Sequence, residues 1–182
     1  MIADRPPARI ETERLVLRRP AAHDAKDLEA LEGEADIADY LRARGADLSD
    51  ISARIAGRIA ADAELPPSAF GWWVIAGKPD GGFLGRALLA PAWAGADAEL
   101  GLYLRRGARG HGFASEAATA LLDHAFLTLK LPRVIGVLVR KEGAARKLVM
   151  GLRFNREGEV ILHGIEADRY VVNAGGWLPR RR

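Results

Sequence analysis

The chain has 182 residues, 49% of them apolar and 28% charged, with a formal net charge of +3, the profile of a single soluble globular domain over 1–182 and not of a disordered segment. It contains no cysteine, which excludes disulfides and thiolate chemistry. The longest uncharged stretch, LPPSAFGWWVIAG at 65–77, is too short to cross a bilayer, and MIADRPPARIETERL at the start lacks an apolar secretion signal, so a cytoplasmic protein is expected.

The first strand is expected at 14–18, RLVLR, followed by a short helix at 24–31 that continues loosely toward Leu41. Ile51, Ile55 and Ile59 lie four apart, which puts them on one face of a helix over 49–61, with Asp47 or Ser49 as its cap. FGWWVI at 70–75 is rich in strand formers, KPDGG at 78–82 is a turn by composition, and 83–90 completes a hairpin. After a loop around 91–95, a strand at 98–104 runs into a glycine loop and a helix that extends to about Leu129, ended by Pro132. A strand at 134–139, a helix at 144–152 and strands at 154–161 and 169–173 close the chain.

Hairpins followed by strand–helix–strand–helix and then strands imply an α+β (layered α/β) fold, a mixed and mostly antiparallel central sheet of about seven strands flanked by helices. The core is expected over 11–173. Residues 174–182, with Arg180, Arg181 and Arg182, form a solvated basic tail. The mild positive charge lacks the stripe with stacking aromatics that nucleic acid requires, so direct nucleic-acid binding is not expected.

The glycine loop holds the chemistry. In RRGARGHGFASEAATALLDHAF, 105–126, Gly107, Gly110 and Gly112 fall among three arginines. Ala114, Ala117, Ala118, Leu121, Leu122, Ala125, Phe126 and Leu129 then recur at helical steps. A helix start leaves its first N–H groups unpaired and carries a partial positive charge. Glycines before it remove obstructing side chains and permit positive φ. Together they make a cradle for phosphate or pyrophosphate, against the plainer alternative of a glycine turn with a solvated basic rim. A nucleotide P-loop fails, because Phe113 and Ala114 stand where Lys and Ser or Thr must be. A dinucleotide fingerprint begins at Gly110 and Gly112 but meets Ser115, and the loop follows several strands instead of opening the sheet.

Arg109-Gly110-His111-Gly112-Phe113-Ala114 fits R/Q-x-x-G-x-G/A, and here the chain resembles the GNAT superfamily of N-acetyltransferases. The resemblance continues in ETERLVLRRP (11–20), AELGLYLRRGARGHGFASEAATALLDHAF (98–126), LPRVIGVLV (131–139) and LVMGLRFNREG (148–158). These segments are similar to the branch that includes ribosomal-protein alanine and serine N-terminal acetyltransferases. The resemblance implies a sheet splayed at its fourth and fifth strands and acetyl-CoA as donor substrate; no metal is expected, because the histidines have no mutual ligand spacing. The acceptor it implies is a primary amine, on a protein N-terminus or a small molecule, attacking directly in a ternary complex. By position, the main chain of Arg109, Gly110, His111, Gly112, Phe113 and Ala114 holds the pyrophosphate. The main chain of Leu102, Tyr103 and Leu104 pairs with the pantetheine arm.

Glu99, ten residues before Arg109, matches a family glutamate base; the alternative is a strand glutamate paired with an arginine. The positions of the usual asparagine, serine and tyrosine read Glu142, Ala145 and Val149, so the family's thiol-protonating group is missing. A second reading is therefore a non-catalytic acyl-CoA-binding sensor or scaffold. His111 either touches a phosphate or is solvated, and His23, His124 and His163 show no ligand spacing. Core packing accounts for most of Trp72, Trp73, Trp93 and Trp177. Arg146 and Lys147 either meet a ribose phosphate or lie on a solvated helix face. The acceptor and the oligomeric state, a homodimer included, stay open.

Overall fold

The computed structural model describes residues 9–64, 70–92, 97–139 and 143–177. Eight strands form one sheet: β1 (Arg9–Glu11), β2 (Leu15–Arg18), β3 (Gly71–Gly77), β4 (Phe83–Pro91), β5 (Ala98–Leu104), β6 (Arg133–Leu138), β7 (Asn155–Leu162) and β8 (Ile165–Asn173). Their spatial order is β1-β2-β3-β4-β5-β6-β8-β7, and β5–β6 is parallel while every other pairing is antiparallel. The expected mixed sheet is present, with one strand more than expected because Arg9–Glu11 pairs with Leu15–Arg18 across a tight turn.

The sheet is covered on both faces, which is why β3 reads as a continuous apolar run, with Trp72 to Ala76 buried. Trp73 and Ile75 point into the larger cluster with Leu15, Leu17, Ala87, Leu89 and the inner stripe of α4 (Phe113–Asp123). Trp72 and Val74 point the other way, into a cluster with Leu28, Leu31, Ile37, Leu41 and Ile55. Those residues come from α1 (Ala25–Glu32), α2 (Ala35–Ala43) and α3 (Ile51–Glu64). The last helix is α5 (Ala144–Gly151).

The single loose helix expected from 24 toward Leu41 is two helices. Gly33 caps α1 by donating its N–H to Glu29 O, and the chain restarts at Ala35 with Glu34 in extended conformation. The glycine-loop helix runs as expected, with its last turn, His124–Thr128, widened into a π-turn. The packed chain reaches Trp177, which follows a short turn at Ala174–Gly176 and donates its Nε1–H to Asp123. Residues 178–182, with the three terminal arginines, lie outside the described residues.

Candidate functional site

β5 and β6 pair only at Ala98 with Val134 and Glu99 with Ile135, and then part. The splay opens a cavity of about 710 Å³ that reaches both sides of the sheet. One wall is β5 from Leu100 to Leu104, and the other is β6 with Ala144, Ala145, Leu148 and Val149 of α5. Phe113 and Ala114 line it at the glycine loop, and Asp36, Asp39 and Tyr40 line it from α2.

The polar edge of β5 alternates. Arg105 donates to Leu84 O across the β4 ladder, and Arg86 opposes Tyr103. Main-chain groups of successive residues in an antiparallel pair point to opposite sides. The main chain of Tyr103 therefore turns to β4, while that of Leu100, Leu102 and Leu104 turns to the gap. Leu104 O is already taken by Arg109 Nε at 2.8 Å. Tyr103 meets the cavity through its ring.

At the end of β5 a short turn, Arg106–Ala108, leads into the glycine loop. Gly110 and Gly112 adopt φ of 84° and 79°, a conformation that glycine takes at no steric cost. Arg109 N–H is bonded to Arg106 O. The N–H groups of Gly110, His111, Gly112, Phe113, Ala114 and Ser115 have no protein acceptor among the described residues. Six donors at one helix start, with glycines for approach, form an anion cradle.

Of the three arginines of this loop, Arg105 and Arg106 are exposed, while Arg109 is paired and does not belong to a free basic rim. Arg109 donates to Asp36 at 2.5 Å and to Glu34 at 2.7 Å, tying the loop to the start of α2. The bond from Arg109 holds the Asp36 carboxyl below the usual carboxylate range, with burial opposing. Arg14 Nη1 donates to His111 O, and the Arg14 guanidinium lies over the Phe113 ring. Glu116, in the first turn of α4, accepts from Arg14 N at 2.8 Å and Arg14 Nε at 2.7 Å, and from Thr12. His111 is exposed, with its ring stacked on Phe113.

Glu99 is buried on the face that carries α2, and Arg44 grips both its oxygens, at 2.8 and 2.9 Å. Arg44 also donates to the Tyr40 hydroxyl at 3.2 Å, and Tyr40 donates to Val137 O on β6 at 3.0 Å. The Tyr40 ring meets Tyr103 of β5 edge-on, 5.7 Å between centroids. One tyrosine thus contacts both walls of the splay, and α2 reaches Glu99 through a single guanidinium. Beneath Tyr103 lies a second buried cluster, in which Glu32 is paired with Arg86 at 2.8 Å and also with Arg54.

Tyr40, Arg44, Asp36 and Glu34 were not among the sequence-derived candidates. Their partners lie 55 to 97 residues away, and no local pattern carried the signal. On the α5 wall, Ala145 and Val149 present no hydroxyl, and Glu142 lies outside the described residues. Arg146 and Lys147 are exposed on α5. Trp72, Trp73 and Trp177 are buried packing residues, and Trp93 lies outside the described residues. Among the described residues, no three His, Cys, Asp or Glu side chains gather as a metal site, and no helix is long and apolar enough to cross a membrane.

A family model described as an acetyltransferase (GNAT) domain matches residues 14–155. The chain is similar to an acetyltransferase (GNAT family) structure from Bacillus anthracis, at 17% identity and TM-score 0.73, over 92% of this chain and 99% of that one. It is similar to a ribosomal-protein-S5-alanine acetyltransferase from Vibrio fischeri, at 16% identity and TM-score 0.69, over 94% and 99%. It is also similar to Mycobacterium smegmatis RimJ in complex with CoA-disulfide, at 20% identity and TM-score 0.67, over 91% and 84%. At these identities the structures establish the shared fold. A comparison with curated proteins gives no match.

Proposed function

The chain belongs to the GNAT acetyltransferase family, and we propose on that premise that it moves an acetyl group from acetyl-CoA to a primary amine by direct attack in a ternary complex. The observation that carries this reading is the set of six main-chain N–H groups, Gly110 to Ser115, left without protein acceptors beside the splayed strand. The residues fit the donor. A Cβ added at Gly110 would meet nothing within 4 Å, so the space in front of the loop is open to a bulky anion.

In this reading the loop donors hold the diphosphate, and Leu100, Leu102 and Leu104 offer cleft-facing main-chain groups to the amides of the arm. The donor supplies an activated acyl group, and the protein supplies alignment and polarity. An N–H on the free edge of β5 polarises the thioester oxygen. Glu99 receives, through water, the proton that the acceptor ammonium must lose. No enzyme nucleophile is involved, in keeping with a chain that lacks cysteine. The acceptor is a protein N-terminus or a small-molecule amine.

The test is labelled acetyl-CoA incubated with peptides that begin with Ala or Ser, polyamines and aminoglycosides. Transfer to any of them supports the reading. Tight coenzyme A binding by calorimetry without transfer removes it and leaves the second one, a non-catalytic acyl-CoA sensor or scaffold. That alternative draws on Ala145 and Val149, which bring no proton donor to the α5 wall.

A further inference from the structure

The donor's arm, anchored at Gly110–Ser115 and paired along β5, runs from Leu104 back toward Glu99. Five residues of strand span roughly 17 Å, about the length of an extended pantetheine arm, so the sulfur end reaches the place where β5 and β6 converge at Glu99 and Ile135, with Val137 two residues along β6 on the cavity wall. The phenol at that place belongs to Tyr40. It lines the cavity, and its hydroxyl donates to Val137 O at 3.0 Å, an acceptor from which the proton turns by rotation about the phenol C–O bond. Arg44 donates to the same oxygen at 3.2 Å and is itself locked on Glu99 through both nitrogens.

We propose that Tyr40 donates a hydrogen bond to the coenzyme sulfur and protonates it as the thiolate leaves, with Arg44 as the residue that positions and charges the phenol. This inference rests on the acetyl-transfer reading above. It fills the role left open by Val149, from the opposite wall of the cavity. The atoms balance as follows. The acceptor nitrogen bonds to the acyl carbon, the carbon–sulfur bond breaks, and its electron pair goes to sulfur. The Tyr40 O–H bond breaks as the S–H bond forms. The phenolate, beside the Arg44 guanidinium, takes back a proton that the acceptor nitrogen releases through water and Glu99. Of the two protons lost by the ammonium, one ends on sulfur and the other in solvent. Burial pushes the Tyr40 phenol up, with Arg44 opposing, which keeps the proton in place between turnovers.

Tyr40→Phe keeps the ring against Tyr103 and removes only the hydroxyl. With coenzyme A alone, the bound thiol is titrated by its thiolate ultraviolet absorbance. A donor to the thiolate stabilises it, so the bound thiol in the wild type is expected to ionise about 1–2 pH units lower than in Tyr40→Phe. Calorimetry is expected to give the two proteins the same coenzyme A affinity within a factor of about three. With the fastest acceptor of the panel, kcat of Tyr40→Phe falls about 10²-fold while KM holds. Equal thiol titrations, an unchanged kcat, or lost coenzyme A affinity in the variant each overturn the role of Tyr40 alone. A lower thiol titration in the wild type with no acceptor turned over overturns both the transfer reading and the proton transfer, and leaves the hydrogen bond standing.

Discussion

Arg109 and Asp36, 73 residues apart, are joined by a 2.5 Å hydrogen bond from Nη1 to Oδ2. The bond links the glycine loop to α2, which lines the same cavity. A carboxyl depressed by its partner in the folded chain stabilises above its unfolded pKa, and that contribution fades as pH falls through the lower folded value. Asp36→Asn is expected to lower the unfolding free energy from urea denaturation at pH 7 by no more than about 1 kcal/mol, since the pair is half exposed. The stabilities of the two proteins are expected to converge as pH falls well below the ordinary aspartate value of about 3.9. A difference that persists in acid would show that the bond is not the cause.

Gly112 caps α4 at φ 79°, and a Cβ there would meet Arg14 Nη2 at 3.4 Å. Gly112→Val strains the cap by about 1–3 kcal/mol and disturbs the cradle. Coenzyme A binding by calorimetry is expected to vanish, with a lowered melting temperature. Gly107, without positive φ and with open space around it, is the control, since Gly107→Ala is expected to leave binding intact.

Glu32 is fully buried between Arg86 and Arg54, and Arg86 Nε and Nη1 have no acceptor among the described residues. The Arg86 guanidinium lies 4.4 Å from the Tyr103 ring centroid. Glu32→Gln leaves the buried Arg86 guanidinium and the half-buried Arg54 without their counter-charge, and a loss of about 3–5 kcal/mol is expected in urea denaturation. A loss below about 1 kcal/mol would mean that water reaches the cluster.

Glu99→Gln removes one charge from the Arg44 grip while keeping side-chain shape. Steady-state assays are expected to give a kcat about 10²-fold lower, with coenzyme A affinity unchanged. Undiminished turnover would reassign Glu99 to holding Arg44 alone.

The glycine-loop side of the candidate site was legible because its physics is local. Ala98–Leu104 is a strand by pattern, Gly110 and Gly112 are glycines where φ is positive, and the alanine stripe of α4 follows within a few residues. The α2 side of the cavity was not. The break at Gly33 looks minor in sequence, yet it re-aims α2 so that Asp36, Tyr40 and Arg44 reach β5, β6 and the loop. The alternation along β5 was equally invisible, because which of Leu102, Tyr103 and Leu104 faces the gap depends on the register with β4. Among the tryptophans, composition was enough, since Trp72 and Trp73 lie in an apolar run long enough to be covered on both faces.

Two rungs, Ala98–Val134 and Glu99–Ile135, stitch β1–β5 to β6–β8 within the sheet. This is the shortest pairing in the sheet, and a ligand lying in the wedge touches both halves and acts as mortar between them. Each tenfold rise in free ligand above its Kd adds about 1.4 kcal/mol to the folded state. The resistance of this chain to heat and proteolysis should therefore track the metabolic supply of its ligand, so that a starved cell holds a softer protein than a fed one.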